Sequence, residues 1–252
     1  MKKSIICTKN LMKSFKTDDF TQEVLKGINI NIYEGDFTVI MGSSGAGKST
    51  LLYSLSGIDR PTGGEIIFNE KDITGYSEDQ LALFRRKNCG FVFQQIYLLD
   101  NMSIMDNVIT SGMLGDYKKK EIIERAKSLF QKVNISESIQ KKFPSQLSGG
   151  EAQRCGIVRA LINKPSILFA DEPTGALNSK NGQAVLDMLT LANEEGQSII
   201  MVTHDLKSAR RGNRIIYLKD GLICGECNLS KYSKNDEKRN EELDKFLSEM
   251  GW

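Results

Sequence analysis

Residues Gly42-Ser43-Ser44-Gly45-Ala46-Gly47-Lys48-Ser49 fit the spacing G-x-x-x-x-G-K-[ST] in full. Glycines let a backbone fold round a phosphate with its N–H groups turned inward, and a helix start adds partial positive charge. Lys48 has the reach for β- and γ-phosphates, and the Ser49 hydroxyl suits Mg²⁺. The loop therefore predicts a nucleoside triphosphate site. A second chemical group is Ile167-Leu168-Phe169-Ala170-Asp171-Glu172, an apolar run that ends in two carboxylates. Asp171 suits the magnesium through water, and Glu172 suits polarisation of an attacking water. His204, the only histidine, follows the run Ser198–Thr203 as the carboxylates follow theirs. That placement predicts a γ-phosphate contact.

Leu147-Ser148-Gly149-Gly150-Glu151 opens another helix, with Ser148 and Glu151 at capping-box spacing. A cap does not call for two glycines in the first turn, whereas bare backbone there admits an anion. This second phosphate-binding helix start lies 100 residues after Lys48. One γ-phosphate is not easily served by both in one compact chain, so the second points to a neighbouring copy.

These groups need strands that end together. Ile28, Ile30 and Ile32 alternate like a half-exposed strand, and Phe37–Met41 is a continuous apolar run of the kind buried on both faces. Similar runs recur at Glu65–Phe68, Gly90–Phe93, Ser166–Ala170, Ser198–Thr203 and Arg214–Leu218. Between some of them the period is helical: Ile122, Ala126, Leu129, Phe130 and Val133 share one face. Strands alternating with helices predict an α/β fold with a central, largely parallel sheet. Residues 95–159 read as an inserted α-helical sub-domain without strands. In the tail, Leu243, Phe246, Leu247 and Met250 mark an amphipathic helix, expected to dock back on its own domain.

The chain has 252 residues, 40% of them hydrophobic, which is enough apolar surface for a core and excludes a largely disordered chain. A net charge of +2 gives no electrostatic case for nucleic acid as a partner. No stretch has the length of a membrane span, and the N-terminus lacks the apolar core of a secretory signal. Five scattered cysteines read as reduced cytosolic thiols. Cys224-Gly225-Glu226-Cys227 has no second ligand pair for zinc and reads as two unbonded thiols.

Gly42–Ser49, Gln94, Leu147–Glu151 (LSGGE), Ile167–Glu172 (ILFADE) and Thr203-His204-Asp205 together resemble the full motif set of the ATP-binding cassette ATPases. The resemblance covers roughly residues 4–228, leaving 229–252 as a helical tail. It implies a P-loop NTPase (RecA-like) core with a small antiparallel β part, ATP and Mg²⁺ as cofactors, and ATP hydrolysis coupled to transport. It implies two copies closing head to tail, each ATP lying between one copy's P-loop and the other's signature helix. The P-loop with Thr50 then binds phosphates, and Ser49, Gln94 and Asp171 serve Mg²⁺. Ser148, Gly149, Gly150 and Glu151 face the opposite ATP. Glu172 is the catalytic base, aided by His204 and Gln94, and Phe15 stacks on adenine. An integral membrane permease is the implied partner, touching Tyr97, Leu98, Leu99 and Met102, with the chain peripheral on the inner face of the membrane.

Two residues depart from the family pattern. Glu151 stands where Gln is commoner and places negative charge near an incoming phosphate. Asn178 stands where Asp is usual, which weakens the case for an ionic contact across the dimer. Gly90–Gln95 (GFVFQQ), Ala170–Leu177 (ADEPTGAL) and Arg214–Gly221 (RIIYLKDG) are similar to lipoprotein-release, macrolide-export and antimicrobial-peptide-resistance cassettes. Gly175–Lys180 looks most like bacitracin- and lantibiotic-resistance cassettes. A GTPase is disfavoured because Asn163-Lys164-Pro165-Ser166 lacks the Asp of a guanine reader, and a small-molecule kinase has no reason for LSGG. A soluble non-transport cassette and a non-hydrolysing regulatory module are the remaining rivals.

Overall fold

The structure, a computed structural model of the chain, describes residues 2–16 and 20–252. The strands are β1 (Ser4–Lys16), β2 (Thr21–Tyr33), β3 (Phe37–Met41), β4 (Gly63–Phe68), β5 (Lys71–Asp72), β6 (Cys89–Phe93), β7 (Ile167–Asp171), β8 (Ser198–Val202), β9 (Arg214–Lys219) and β10 (Leu222–Asn228). The helices are α1 (Lys48–Leu55), α2 (Glu78–Asn88), α3 (Ile104–Gly112), α4 (Lys119–Lys132), α5 (Glu137–Gln140), α6 (Gly149–Leu161), α7 (Ser179–Glu194), α8 (Leu206–Ala209) and α9 (Glu237–Glu249). The chain divides into two compact units, Met1–Ala82 with Gly196–Trp252, and Leu83–Glu195.

The first unit holds an antiparallel sheet, in the order β2-β1-β4-β5, and the parallel trio of β3 with β8 and β9. Every residue of β3 and β8 is buried, as a strand covered on both faces requires. β10 returns antiparallel beside β9 as an edge. Alternation at Ile28, Ile30 and Ile32 is real: all three are buried and their β2 neighbours Asn29 and Asn31 are exposed. The run Glu65–Phe68, grouped by its apolar character with the parallel strands, belongs instead to β4 of the antiparallel sheet. Ile66 and Phe68 face inward and Glu65 outward, so its apolar residues serve one face only.

α9 docks within the first unit. Leu243 and Leu247 are buried, and Phe246 and Met250 lie over Gly225 of β10, where a Cβ would sit 3.0 Å from the Phe246 ring and 2.7 Å from Met250 Sδ. Gly225 is therefore the seat of the tail helix. Arg239 ties the helix down. Its guanidinium donates to the carbonyls of Ser230 at 3.0 Å, Arg210 at 2.5 Å and Gly212. Cys224 and Cys227 flank this seat as free thiols, and burial raises the Cys227 pKa.

In the second unit β6 and β7 pair in parallel, from Cys89 opposite Ile167 to Phe93 opposite Asp171. Between them in sequence run α3 to α6. Ile104 and Val108 of α3, Ile122, Ala126 and Phe130 of α4, and Cys155 and Val158 of α6 close one core. Ser103 opens α3, its hydroxyl oxygen accepting from Asp106 N–H at 3.1 Å. Phe130 is fully buried at the centre of this core. Phe130→Ala should cost about 3–5 kcal/mol, read as a lowered denaturant midpoint for unfolding of this chain.

Candidate nucleotide site

In the first unit the turn from β3 to α1 is built by three glycines in left-handed backbone. Gly42 has φ 153°, and a Cβ there would lie 2.1 Å from the Leu218 carbonyl oxygen. Gly47, the N-cap of α1, has φ 99° and would meet Val24 O at 3.0 Å. Gly45, at φ 79°, opens into free space. Two glycines are thus required by backbone from β9 and β2, and the third leaves the loop crest bare. Gly221 N–H donates to Ala46 O at 3.2 Å and closes the loop from behind. Ser43 and Ser44 are exposed at the crest, while Ser49 and Thr50 are half-buried in the first turn of α1.

Lys48 is buried, and its ammonium donates to Gly42 O at 3.0 Å and Ser43 O at 2.9 Å. The charge therefore sits against the loop's own carbonyls, at the end of α1 where an anion is favoured. His204 is exposed just past β8, whose Val202 is opposite Ile40 of β3. Thr203 N–H donates to Ile40 O at 3.2 Å, and Thr203 Oγ1 accepts Asp205 N–H at 3.0 Å. Asp205 caps α8 through Ser208 N–H at 2.8 Å. The P-loop and His204 thus leave the same end of neighbouring parallel strands, where α/β sheets place ligands.

Phe15 lies near the end of β1, opposite Gln22 of β2, with 46% of its surface exposed. The Lys13 ammonium stands 4.8 Å from its ring centroid, anchored by Asp59 at 2.6 Å. Two residues along β2, Val24 and Leu25 back Gly47, so the strand pair that carries Phe15 also supports the P-loop.

In the second unit β7 delivers Asp171 opposite Phe93, and the next residues of the two strands are Glu172 and Gln94. Glu172 adopts φ 44°, left-handed backbone that is uncommon for a non-glycine residue and concentrates at functional sites. Gly175 N–H donates to Glu172 O at 3.0 Å, which curls the following loop back. A Cβ on Gly175 would stand 2.8 Å from Gln94 Nε2, so Gln94 lies against this loop.

The second glycine helix start is in the same unit. Ser148 caps α6, and Glu151 Oε2 accepts both Ser148 N–H at 2.8 Å and Ser148 Oγ–H at 2.7 Å. These two bonds hold the Glu151 carboxyl below its ordinary pKa. Gly150 is buried, and a Cβ there would collide with Asn181 at 2.4 Å, so packing accounts for this glycine. Gly149 is exposed, with nothing closer than Leu177 Cδ2 at 3.5 Å, and supplies the bare backbone. Asn178 caps α7 by accepting Asn181 N–H at 3.0 Å. Asn181 therefore joins the α7 cap to the α6 start, a link that motif reading missed although the spacing Asn178-x-x-Asn181 was a cap signal.

Among the described residues no cluster of three His, Cys, Asp or Glu could hold a metal. No described helix is long and apolar enough to cross a membrane.

A glycine-lined strand-to-helix turn carrying a buried lysine, on a parallel strand flanked by further parallel strands, defines a P-loop nucleotide-binding protein. Residues 25–175 match the ABC transporter family. The chain is 39% identical to the bacitracin export ATP-binding protein BceA of Halalkalibacterium halodurans, over 98% of this chain and 96% of that one. It is 43% identical to the lipoprotein-releasing system ATP-binding protein LolD of Aquifex aeolicus, over 81% of this chain and 91% of that one. Among solved structures, a dimeric post-hydrolysis state of the ATP-binding cassette MJ0796 bound to ADP and Pi superposes with a TM-score of 0.82 at 39% identity, covering 90% and 100% of the two chains. The chain belongs to the ABC transporter family, as an ATP-binding, ATP-hydrolysing subunit of the macrolide-export, lipoprotein-release and bacitracin-type branch.

Gly175→Ala should push Gln94 aside while leaving the P-loop untouched. The expected result is a fall in ATP hydrolysis of about 10- to 100-fold at unchanged ATP affinity, measured by steady-state turnover and nucleotide titration.

Proposed function

We propose that this chain energises a membrane permease that moves or removes antimicrobial peptides, and that it acts as a head-to-tail pair of copies. The observation that carries the pairing is the presence of two helix starts each reached through an exposed glycine, α1 behind Gly45 and α6 at Gly149. Each suits a polyphosphate. The dimeric state of MJ0796, bound to ADP and Pi, supports a working pair of copies. Likeness to BceA across almost the whole of both chains supports the peptide-resistance role.

In this reading the N–H groups of Gly42–Thr50 orient the phosphates, and Lys48 exchanges its two loop carbonyls for phosphate oxygens. Phe15 offers its exposed ring to the adenine. Ser148 and Gly149 receive the nucleotide of the second copy. Ser49, Asp171 and Gln94 would hold Mg²⁺, which supplies charge neutralisation of the phosphates when bound. Glu172, set in its left-handed backbone, takes the proton of the attacking water, and His204 steadies the γ-phosphate.

The permease contact fits the flank of β6. Tyr97 and Leu99 are 63% and 53% exposed, whereas Leu98 packs into the helical core and contributes to stability instead. A groove of about 240 Å³ beside them is lined by Arg85, Arg86, Phe91, Phe93, Leu114 and Arg159. Its cations and apolar walls suit an amphipathic cytoplasmic segment with an acidic residue. Arg159 also donates to Ile96 O at 2.7 Å and to Tyr97 O, which holds the stretch after Gln94 to α6.

Glu172→Gln should lower turnover by about 100-fold or more while ATP-bound dimers persist; turnover near wild type would sink the assigned base. Affinity purification from detergent-solubilised membranes should bring down a permease with a large extracellular domain. Co-elution of soluble proteins alone would overturn the transport role.

A further inference from the structure

A serine hydroxyl has one proton and two lone pairs. Ser148 commits that proton to Glu151 Oε2 at 2.7 Å, and its N–H goes to the same oxygen at 2.8 Å. The return bond, from Glu151 N–H to Ser148 Oγ, is longer at 3.4 Å. Both Ser148 and the adjacent Gly149 are exposed, so this is the open mouth of α6. An anion arriving there meets lone pairs on Ser148 and a carboxylate beside them. The helix start that favours a phosphate is obstructed by its own third residue.

The geometry points to Glu151 as a positioning residue that acts through Ser148 and holds back closure of the two copies. A phosphate of the second copy's nucleotide gains the Ser148 hydroxyl proton only when Glu151 releases it. This rests on the reading of α6 as the receiver of that nucleotide. Arg154 follows three residues along the same helix face. Lys142 and Arg154 both favour the ionised carboxylate, so cationic neighbours remain once the Ser148 hydroxyl is freed.

The test is ATP-driven dimer formation in the Glu172→Gln background, followed by sedimentation, with and without Glu151→Gln. The glutamine carbonyl still accepts Ser148 N–H and keeps the cap, but it is neutral and grips the hydroxyl weakly. The ATP concentration for half-maximal dimer should fall about tenfold, equivalent to about 1.4 kcal/mol, while single-copy nucleotide affinity stays the same. Glu151→Asp keeps the charge but withdraws the oxygen, and should shift dimer formation in the same direction. With Ser148→Ala also present, Glu151→Gln should add nothing. A Glu172→Gln parent that never dimerises overturns the head-to-tail reading, and the role of Glu151 with it. A parent that dimerises, with no gain from either Glu151 variant, overturns the role of Glu151 alone. An equal gain in the presence of Ser148→Ala does the same, because removal of charge would then be sufficient.

Discussion

Everything in this chain is arranged round the cost of holding a polyphosphate with peptide N–H groups. Such groups converge only where the backbone enters left-handed conformations, and only glycine does so cheaply. Gly42 and Gly47 are pinned from outside, by the Leu218 carbonyl of β9 and the Val24 carbonyl of β2. The phosphate loop is therefore not a free-standing motif. It takes its shape from the strand beside β3 and from the antiparallel sheet behind it. The first unit accordingly holds the antiparallel sheet together with β3 and β9.

The second unit solves a related problem with different means. Glu172 sits there on left-handed backbone, and a side chain, Gln94, lies against the loop beyond it where the phosphate loop has strand backbone. Because Gln94 follows β6 directly while Arg159 of α6 grips the carbonyls of Ile96 and Tyr97, the stretch after Gln94 is tied to the helix that opens with Ser148. The groove beside β6 thus adjoins, within one unit, both the strand that ends before Gln94 and the helix that opens with Ser148. The groove, the strand end and the helix start behave as parts of one packed body.

Much of this was legible in the sequence. The all-buried strands, the α4 face and the tail helix followed from apolar period, since burial on two faces and on one face leave different patterns. Motif spacing singled out the candidate chemical residues. Glycine was harder to read. Gly149 and Gly150 look alike as letters, yet only Gly149 is bare, because Asn181 of a helix some thirty residues on occupies the space above Gly150. The seating of Gln94 on Gly175 was hidden for the same reason, being a contact between segments far apart in sequence. Asn178 was visible as a lost charge, whereas its service as a helix cap needed the start of α7 to be located first. Glu65–Phe68 misled because an apolar run records how much is buried and not which strand lies alongside.

The clamp made by Arg239 has a mechanical meaning. Its guanidinium holds the carbonyls of Arg210 and Gly212, at the close of the short helix that begins just after His204, and Asn213 next to them accepts from Phe37 N–H at 2.6 Å at the root of β3. The tail is thus a strut and not a tether. The end of the chain is thereby joined through hydrogen bonds to the segment that carries the histidine and to the root of β3.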